Sequence, residues 1–213
     1  MVRPQEATGP AAGNRTDGRR GEILAVATRL FARSGFHGVG MRAIAEAVGV
    51  QTSSLYHYFP SKTDILYAIS RDATAAFIAA QSPRLEEAGA APAETLRAVF
   101  SDHVRYFHAH REEEAVGLRE LRELEPPRFE EINALRRGYQ DAVRRVVAEG
   151  QRAGVFAVAD PTLATLAVLG LLNSVNDWYR DGGPRTIDEV AEAYAGMAIE
   201  RLLGAGPRGR PAP

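Results

Sequence analysis

An all-α protein of about nine helices is predicted, a three-helix head carried on a larger helical body. Apolar residues recur at helical spacing from residue 19 to residue 203, and no stretch alternates as a strand would. Capping signals stand at Ser61/Asp64, Asp160-Pro161 and Thr186/Glu189, and Gly35, Gly49 and Pro126-Pro127 punctuate the intervals between helices.

The first helix is expected over 19–34, where Ile23, Leu24, Ala27, Leu30 and Phe31 form one stripe, and Gly35 ends it. Met41–Val48 and Thr52–Tyr58 follow. Each is too short to stand alone, so each needs its apolar edge covered: Ile44, Ala45 and Val48 in one, Leu55 and the following Phe59 in the other. The Ser61/Asp64 box opens a fourth helix, expected to end near Ala80, before a loop over 82–91. A fifth is expected over 92–110 and a sixth over 112–124, with Leu118 and Leu121 inward and Pro126-Pro127 as its stop. The seventh, 128–152, turns Phe129, Ile132, Tyr139, Val143, Val146 and Val147 inward and Arg136, Arg137, Arg144 and Arg145 to water. Asp160 caps an eighth that Pro161 starts and whose run from Leu163 to Leu172 is apolar nearly all round. The Thr186/Glu189 box opens a ninth that reaches Leu203. The organisation expected is a disordered tail over 1–18, a head over 19–63, a body over 64–204 and a second tail over 205–213.

Composition narrows the function. The chain of 213 residues has no cysteine, which removes disulfides, thiolate metal sites and a cysteine nucleophile. The first residues lack the apolar stretch of a secretory signal and no run reaches the roughly 20 residues of a membrane span, so a cytoplasmic location is expected. Charge is polarised. From Arg15 to Lys62 seven basic side chains face three acidic ones, net +4, whereas the remainder from Thr63 is acidic. A basic head on an acidic body suggests a polyanionic partner at one end.

The segment 44–62 carries the most information. Ala45 suits a close helix crossing, Gly49 turns the chain, and Thr52-Ser53-Ser54 open a second helix with side chains short enough for a major groove. With Phe31, Ser34-Gly35-Phe36 and Arg42, the Ile44-Ala45…Gly49-Val50 turn, the Leu55-Tyr56…Phe59 helix and Pro60-Ser61-Lys62 resemble the head of the TetR family of bacterial transcription regulators over about 50 residues. Three positions depart from that pattern: Gly40 stands where a hydroxyl cap is common, and Gln51-Thr52 replaces a frequent Ser-Lys.

The resemblance implies a helix-turn-helix head in which Arg42, Thr52, Ser53, Ser54, Tyr56, His57, Tyr58 and Lys62 contact double-stranded operator DNA, hydroxyls and cations fixing register on phosphates. Tyr56 and Tyr58 as packing aromatics, and Lys62 as plain surface, are the alternatives. Arg15, Arg19 and Arg20 belong to the expected tail region or form a minor-groove arm. The resemblance also implies a homodimer, with an expected surface of Leu163, Leu166, Leu171, Tyr194, Met197 and Ala198, and Ala191 and Ala195 as further flat contacts; a central core helix is the alternative for the apolar run from Leu163 to Leu172.

For the body, the candidate lining of an effector cavity is Phe77, Phe100, Val104, Phe107, Leu121, Tyr139, Val143 and Trp178, with Asn173, Asn176 and Arg180 at its mouth; core packing is the alternative at each apolar position. The ending Trp178-Tyr179-Arg180…Gly183 is similar to that of an acyl-CoA-responsive TetR branch, implying a fatty-acyl or other CoA-thioester effector. A repressor released by a small hydrophobic molecule is therefore expected, with no cofactor and no metal. An architectural DNA-binding protein without effector and an all-α enzyme are the alternatives. His103, His108 and His110 lie close in sequence but lack carboxylates at ligand spacing and are read as structural or cavity-lining.

Overall fold

The computed structural model describes residues 12–87 and 91–205, which form ten α-helices and no strand. They are α1 (Ala12–Ser34), α2 (Met41–Val48), α3 (Thr52–Tyr58), α4 (Lys62–Leu85), α5 (Pro92–Ala109), α6 (Arg111–Arg119), α7 (Pro126–Arg152), α8 (Pro161–Asn173), α9 (Val175–Trp178) and α10 (Ile187–Met197). A 3-10 turn, Leu121–Glu123, follows α6, and a π-helical turn, Ala198–Leu202, extends α10.

The capping signals act as read. Asp160 accepts from the N–H groups of Thr162 and Leu163, and Thr186 and Glu189 form a reciprocal capping box. Ser61 Oγ accepts from the Asp64 N–H and donates to the Asp64 carboxylate at 2.6 Å. α2 and α3 have the expected bounds because Gly49 supplies a left-handed turn (φ 76°) that an L side chain resists.

Several boundaries differ. α1 begins at Ala12, so residues 12–18 are helical where a tail was expected. Residues 1–11 and 206–213, and the side chain of Arg15, lie outside the described residues. Ala205 belongs to the body: its N–H reaches the Ile199 carbonyl and it packs on the core. α4 continues through Pro83, which costs the helix one hydrogen bond to the preceding turn but stands only two residues before its end at Leu85. α6 stops at Arg119, and Leu118, expected inward, is 41% exposed and outside both cores, although it borders a cavity in the body. Pro126 opens α7 instead of closing the helix before it, since the fixed φ of proline suits a first helical position. The eighth helix breaks at Ser174, and the short α9 carries the residues beyond.

Two apolar cores result. One, inside the body, joins Phe77 of α4, Leu96, Phe100, Val104 and Phe107 of α5, Val143 and Val147 of α7, Leu172 of α8 and Ala191, Ala195 and Ala198 of α10 and its extension. Ala191, Ala195 and Ala198 are therefore inside the protomer and are not contact positions on its surface. The other core holds Ile23, Phe31, Ile44, Leu55 and Phe59 of the head with Ile65 and Leu66 of α4, and it continues into Val116, Leu121, Leu124 and Ile132. It runs across the boundary expected at 63–64. Burial of each large side chain is worth about 1.5–3 kcal/mol, so α2 and α3 are held as short helices by neighbours that lie beyond them in sequence.

Candidate functional site

α3 is anchored from beneath and open above. Leu55 and Phe59, four residues apart, are buried, while Ser53 and His57 are exposed and Tyr56 is 50% exposed. Thr52, Ser54 and Tyr58 are half-buried at its flanks, and Arg42 projects to solvent from the first turn of α2. Seven of the eight candidate contact residues thus stand on two helices joined by one glycine turn. Lys62 is placed differently: its ammonium donates to the Phe36 carbonyl at 2.9 Å and sits 4.2 Å from the centre of the Phe36 ring, tying α4 to the turn after α1.

The body contains a cavity of about 180 Å³ between α4, α5, α6, α7 and α8. Phe77, Phe107, Tyr139 and Asn173 line it as expected, with Ile78, Leu118 and Leu169 as further apolar wall. Phe100, Val104 and Val143 do not reach it; they are core residues behind the wall. Leu121 belongs to the head-side core. Asn176, Trp178 and Arg180 lie beyond the break at Ser174 and outside the lining. Trp178 is half exposed beside Tyr179 and Tyr194, and the Arg180 guanidinium donates to the carbonyls of Tyr179 and Asp177.

The polar part of the lining is where the sequence was least informative. His103, Glu114, Arg136, Gln140 and Thr74 all face the cavity. His103 Nε2 donates to Asn173 Oδ1 at 2.9 Å, which leaves Nδ1 to accept from the Tyr139 hydroxyl at 3.2 Å. Burial pushes the imidazole down to about 4, so it is neutral, and burial likewise raises the Tyr139 phenol. His103 shares a helical face with Phe100 and Phe107, a spacing that marks it as inward. Glu114 gave no such signal, because it closes the acidic run Glu112-Glu113-Glu114. It is nevertheless buried, and desolvation pushes its carboxyl up to about 7 against the lowering effect of Arg136. Arg136, expected to face water, is half-buried; desolvation lowers its guanidinium, which donates to the Gly117 carbonyl at 3.1 Å.

Cavity and head are joined through α6 and α4. Past the end of α6, Glu120 accepts from the Phe36 N–H at 3.4 Å and Glu123 lies 3.0 Å from His37. On the other side, Arg128 of α7 bonds Asp64 at 2.5 Å, and Glu131 accepts from the Tyr67 hydroxyl and Arg71 of α4 at 2.6 and 3.0 Å. Partial burial alone raises the Asp64 carboxyl, but the Ser61 hydroxyl and Arg128 outweigh it and hold it below the usual range.

Comparison with known proteins places this architecture. The family model "Bacterial regulatory proteins, tetR family" matches residues 23–69, and "Tetracyclin repressor-like, C-terminal domain" matches residues 89–202, more than half of the chain. The chain belongs to the TetR family. This TetR-family regulator is 26% identical over 193 residues to the HTH-type transcriptional repressor KstR2 of Mycobacterium tuberculosis, covering 88% of this chain and 94% of that one. It is similar to the TetR family transcriptional regulator PfmR of Thermus thermophilus at 35% identity and a TM-score of 0.77, covering 84% and 97% of the two chains. The structure of AibR in complex with isovaleryl coenzyme A and operator DNA matches at 26% identity and a TM-score of 0.78, covering 85% and 98%. Among the described residues of this TetR-family chain no helix is long and apolar enough to cross a membrane.

Proposed function

We propose that this TetR-family regulator represses transcription as a homodimer whose two heads, residues 19–63, sit on operator half-sites until an effector fills the cavity of the body, residues 64–204. The observation that carries this reading is the presentation of α3: two buried anchors hold the helix while Ser53, Tyr56 and His57 are left to solvent beside Arg42. Short hydroxyl side chains read base edges and phosphates at close range, and a cation on the neighbouring helix fixes register. Each head offers few phosphate contacts, so two acting about 34–36 Å apart supply the affinity that one lacks.

Leu163 and Leu166 of α8 and Met197 of α10, respectively 65%, 48% and 42% exposed, with half-buried Leu171 and Tyr194, form an apolar face that a second copy would cover. An effector-independent architectural protein would have no use for the polar groups that converge on the cavity. The cavity volume, about 180 Å³, suits a short acyl chain and not a whole coenzyme A, so an acyl thioester would enter acyl end first. The complex of AibR with isovaleryl coenzyme A supports that class.

Footprinting of the full chain on the DNA flanking its own gene, with and without short acyl-CoA thioesters, tests the reading. Protection of a twofold site that is lost on adding a thioester is expected; protection indifferent to every thioester removes the proposed effector class. Arg42→Ala and Tyr56→Phe are expected to weaken operator binding about tenfold each while the dimer persists. Unchanged affinity in both would refute the assigned contacts.

A further inference from the structure

The least compatible residues of the cavity say most about what fills it. Glu114 is 6% exposed, and its Oε1 has no hydrogen-bond partner. It lines the cavity with Arg136, Thr74 and Leu118. Arg136 gives one N–H to the Gly117 carbonyl and retains further donors; the two side chains are coupled by charge without a direct ion pair between them among the described residues. A buried acceptor without a donor destabilises the fold, so folding gives no reason for Glu114 to be there.

Each class of ligand end-group can be set against this pair. A hydrocarbon end leaves both residues unmet. A ligand ammonium would meet the guanidinium of Arg136 as a like charge. A ligand carboxylate would meet Glu114 as a like charge wherever Glu114 is ionised and could bind only while Glu114 holds its proton, whereas a neutral group is indifferent to that proton. An uncharged group that both donates and accepts satisfies the two at once. We infer that the effector bears a hydroxyl at the inner end of a short apolar skeleton, donating to Glu114 Oε1 and accepting from Arg136. The inference rests on the body cavity being the effector site and adds to it the chemistry of the end that enters first.

The position of the pair gives the hydroxyl a second consequence. Glu114 also lines a separate hollow of about 280 Å³ with Leu24, Ala25 and Thr28 of α1, so the hydroxyl end of the effector lies on the head side of the cavity. Arg136, through its bond to Gly117, holds the helix whose far end grips the turn after α1. A ligand that engages Arg136 therefore acts on a residue already connected to the reading head.

The test is calorimetric titration of the full chain with two matched pairs: pentanoyl-CoA against 5-hydroxypentanoyl-CoA, and N-ethylpentanamide against N-ethyl-5-hydroxypentanamide. The hydroxylated member of at least one pair is expected to bind about tenfold tighter or more. That preference should fall to about twofold or less in Glu114→Leu and Arg136→Met, and persist in part in Glu114→Gln, which keeps an acceptor and a closely matched shape. Equal affinity within both pairs overturns the inference, as does a preference unchanged in Glu114→Leu; the wild-type comparison decides even where a variant fails to fold. Binding by the amides alone, with the hydroxyl preferred, removes the thioester reading and supports the hydroxyl. Thioesters that bind without preference overturn the hydroxyl and leave the thioester reading intact. Binding by none of the four overturns both.

Discussion

His103 and Glu114 line one cavity, and burial acts on them in opposite directions. The imidazole, moved from 6.5 to about 4, is neutral in the folded protein where the unfolded chain would bind a proton; its contribution is fully present above pH 6.5 and is lost as pH falls towards 4. The Glu114 carboxyl, moved from 4.5 to about 7, is protonated in the folded protein where the unfolded chain is ionised; its contribution is fully present below pH 4.5 and is lost as pH rises towards 7. Each spans about 3 kcal/mol, and between pH 4.5 and 6.5 the two slopes oppose one another. The parts of wild-type stability due to these residues should therefore nearly cancel in that window. Urea denaturation should reveal each by deletion: relative to wild type, His103→Gln should lose the acid-side decline, and Glu114→Gln should gain stability progressively from pH 4.5 to 7. Parallel pH profiles in all three proteins would contradict the assignment. These two residues also mark the limit of what could be read in advance. His103 sits on an apolar face and could be placed inside from spacing, whereas Glu114 and Arg136 sit among other charges and are buried by partners 19 or more positions distant, as the Arg136–Gly117 bond illustrates.

Helices that carry their own punctuation were legible to the residue. α2 and α3 end where Gly49 and Phe59 require, and α8 and α10 begin at their caps. Helices ended by tertiary contact were not: α6 gives way to a tighter turn that delivers Leu121 and Leu124 to the head-side core, and α8 breaks before the residues expected at the mouth of the cavity. For the same reason the buried anchors and solvent-facing side of α3, a local pattern, were legible, and only four of the eleven candidate cavity residues line the cavity. One helix end makes a sharp prediction. Gly150, near the end of α7, accepts the N–H groups of Val155 and Phe156 on its carbonyl, and a Cβ there would lie 2.2 Å from the Phe156 ring. Gly150→Ala must displace that buried ring and should cost about 1–3 kcal/mol, seen as a lower urea midpoint at unchanged slope. A midpoint equal to wild type would show that Phe156 has room to move.

Among the described residues, α8 and α10 leave the large apolar side chains Leu163, Leu166 and Met197 exposed. If a second copy covers them, Leu166→Glu, at a half-exposed position, should leave the protomer folded and weaken self-association about tenfold to a hundredfold. Sedimentation would report the loss of mass, and operator affinity should fall with it because two heads no longer act together. An unchanged mass would place the dimer surface elsewhere. The continuity of α4 sets how small a movement could matter. It is a single helix of 24 residues with its first turn capped beneath the head and Phe77 on the cavity wall. At about 1.5 Å per residue it works as a rod of about 36 Å, so tilting it by about 5° at one end swings the other by about 3 Å. That displacement is close to the roughly 3.4 Å rise of one base pair, so if the proposed effector tilts α4, a wall shift smaller than a methyl group would become a full step of register along the duplex.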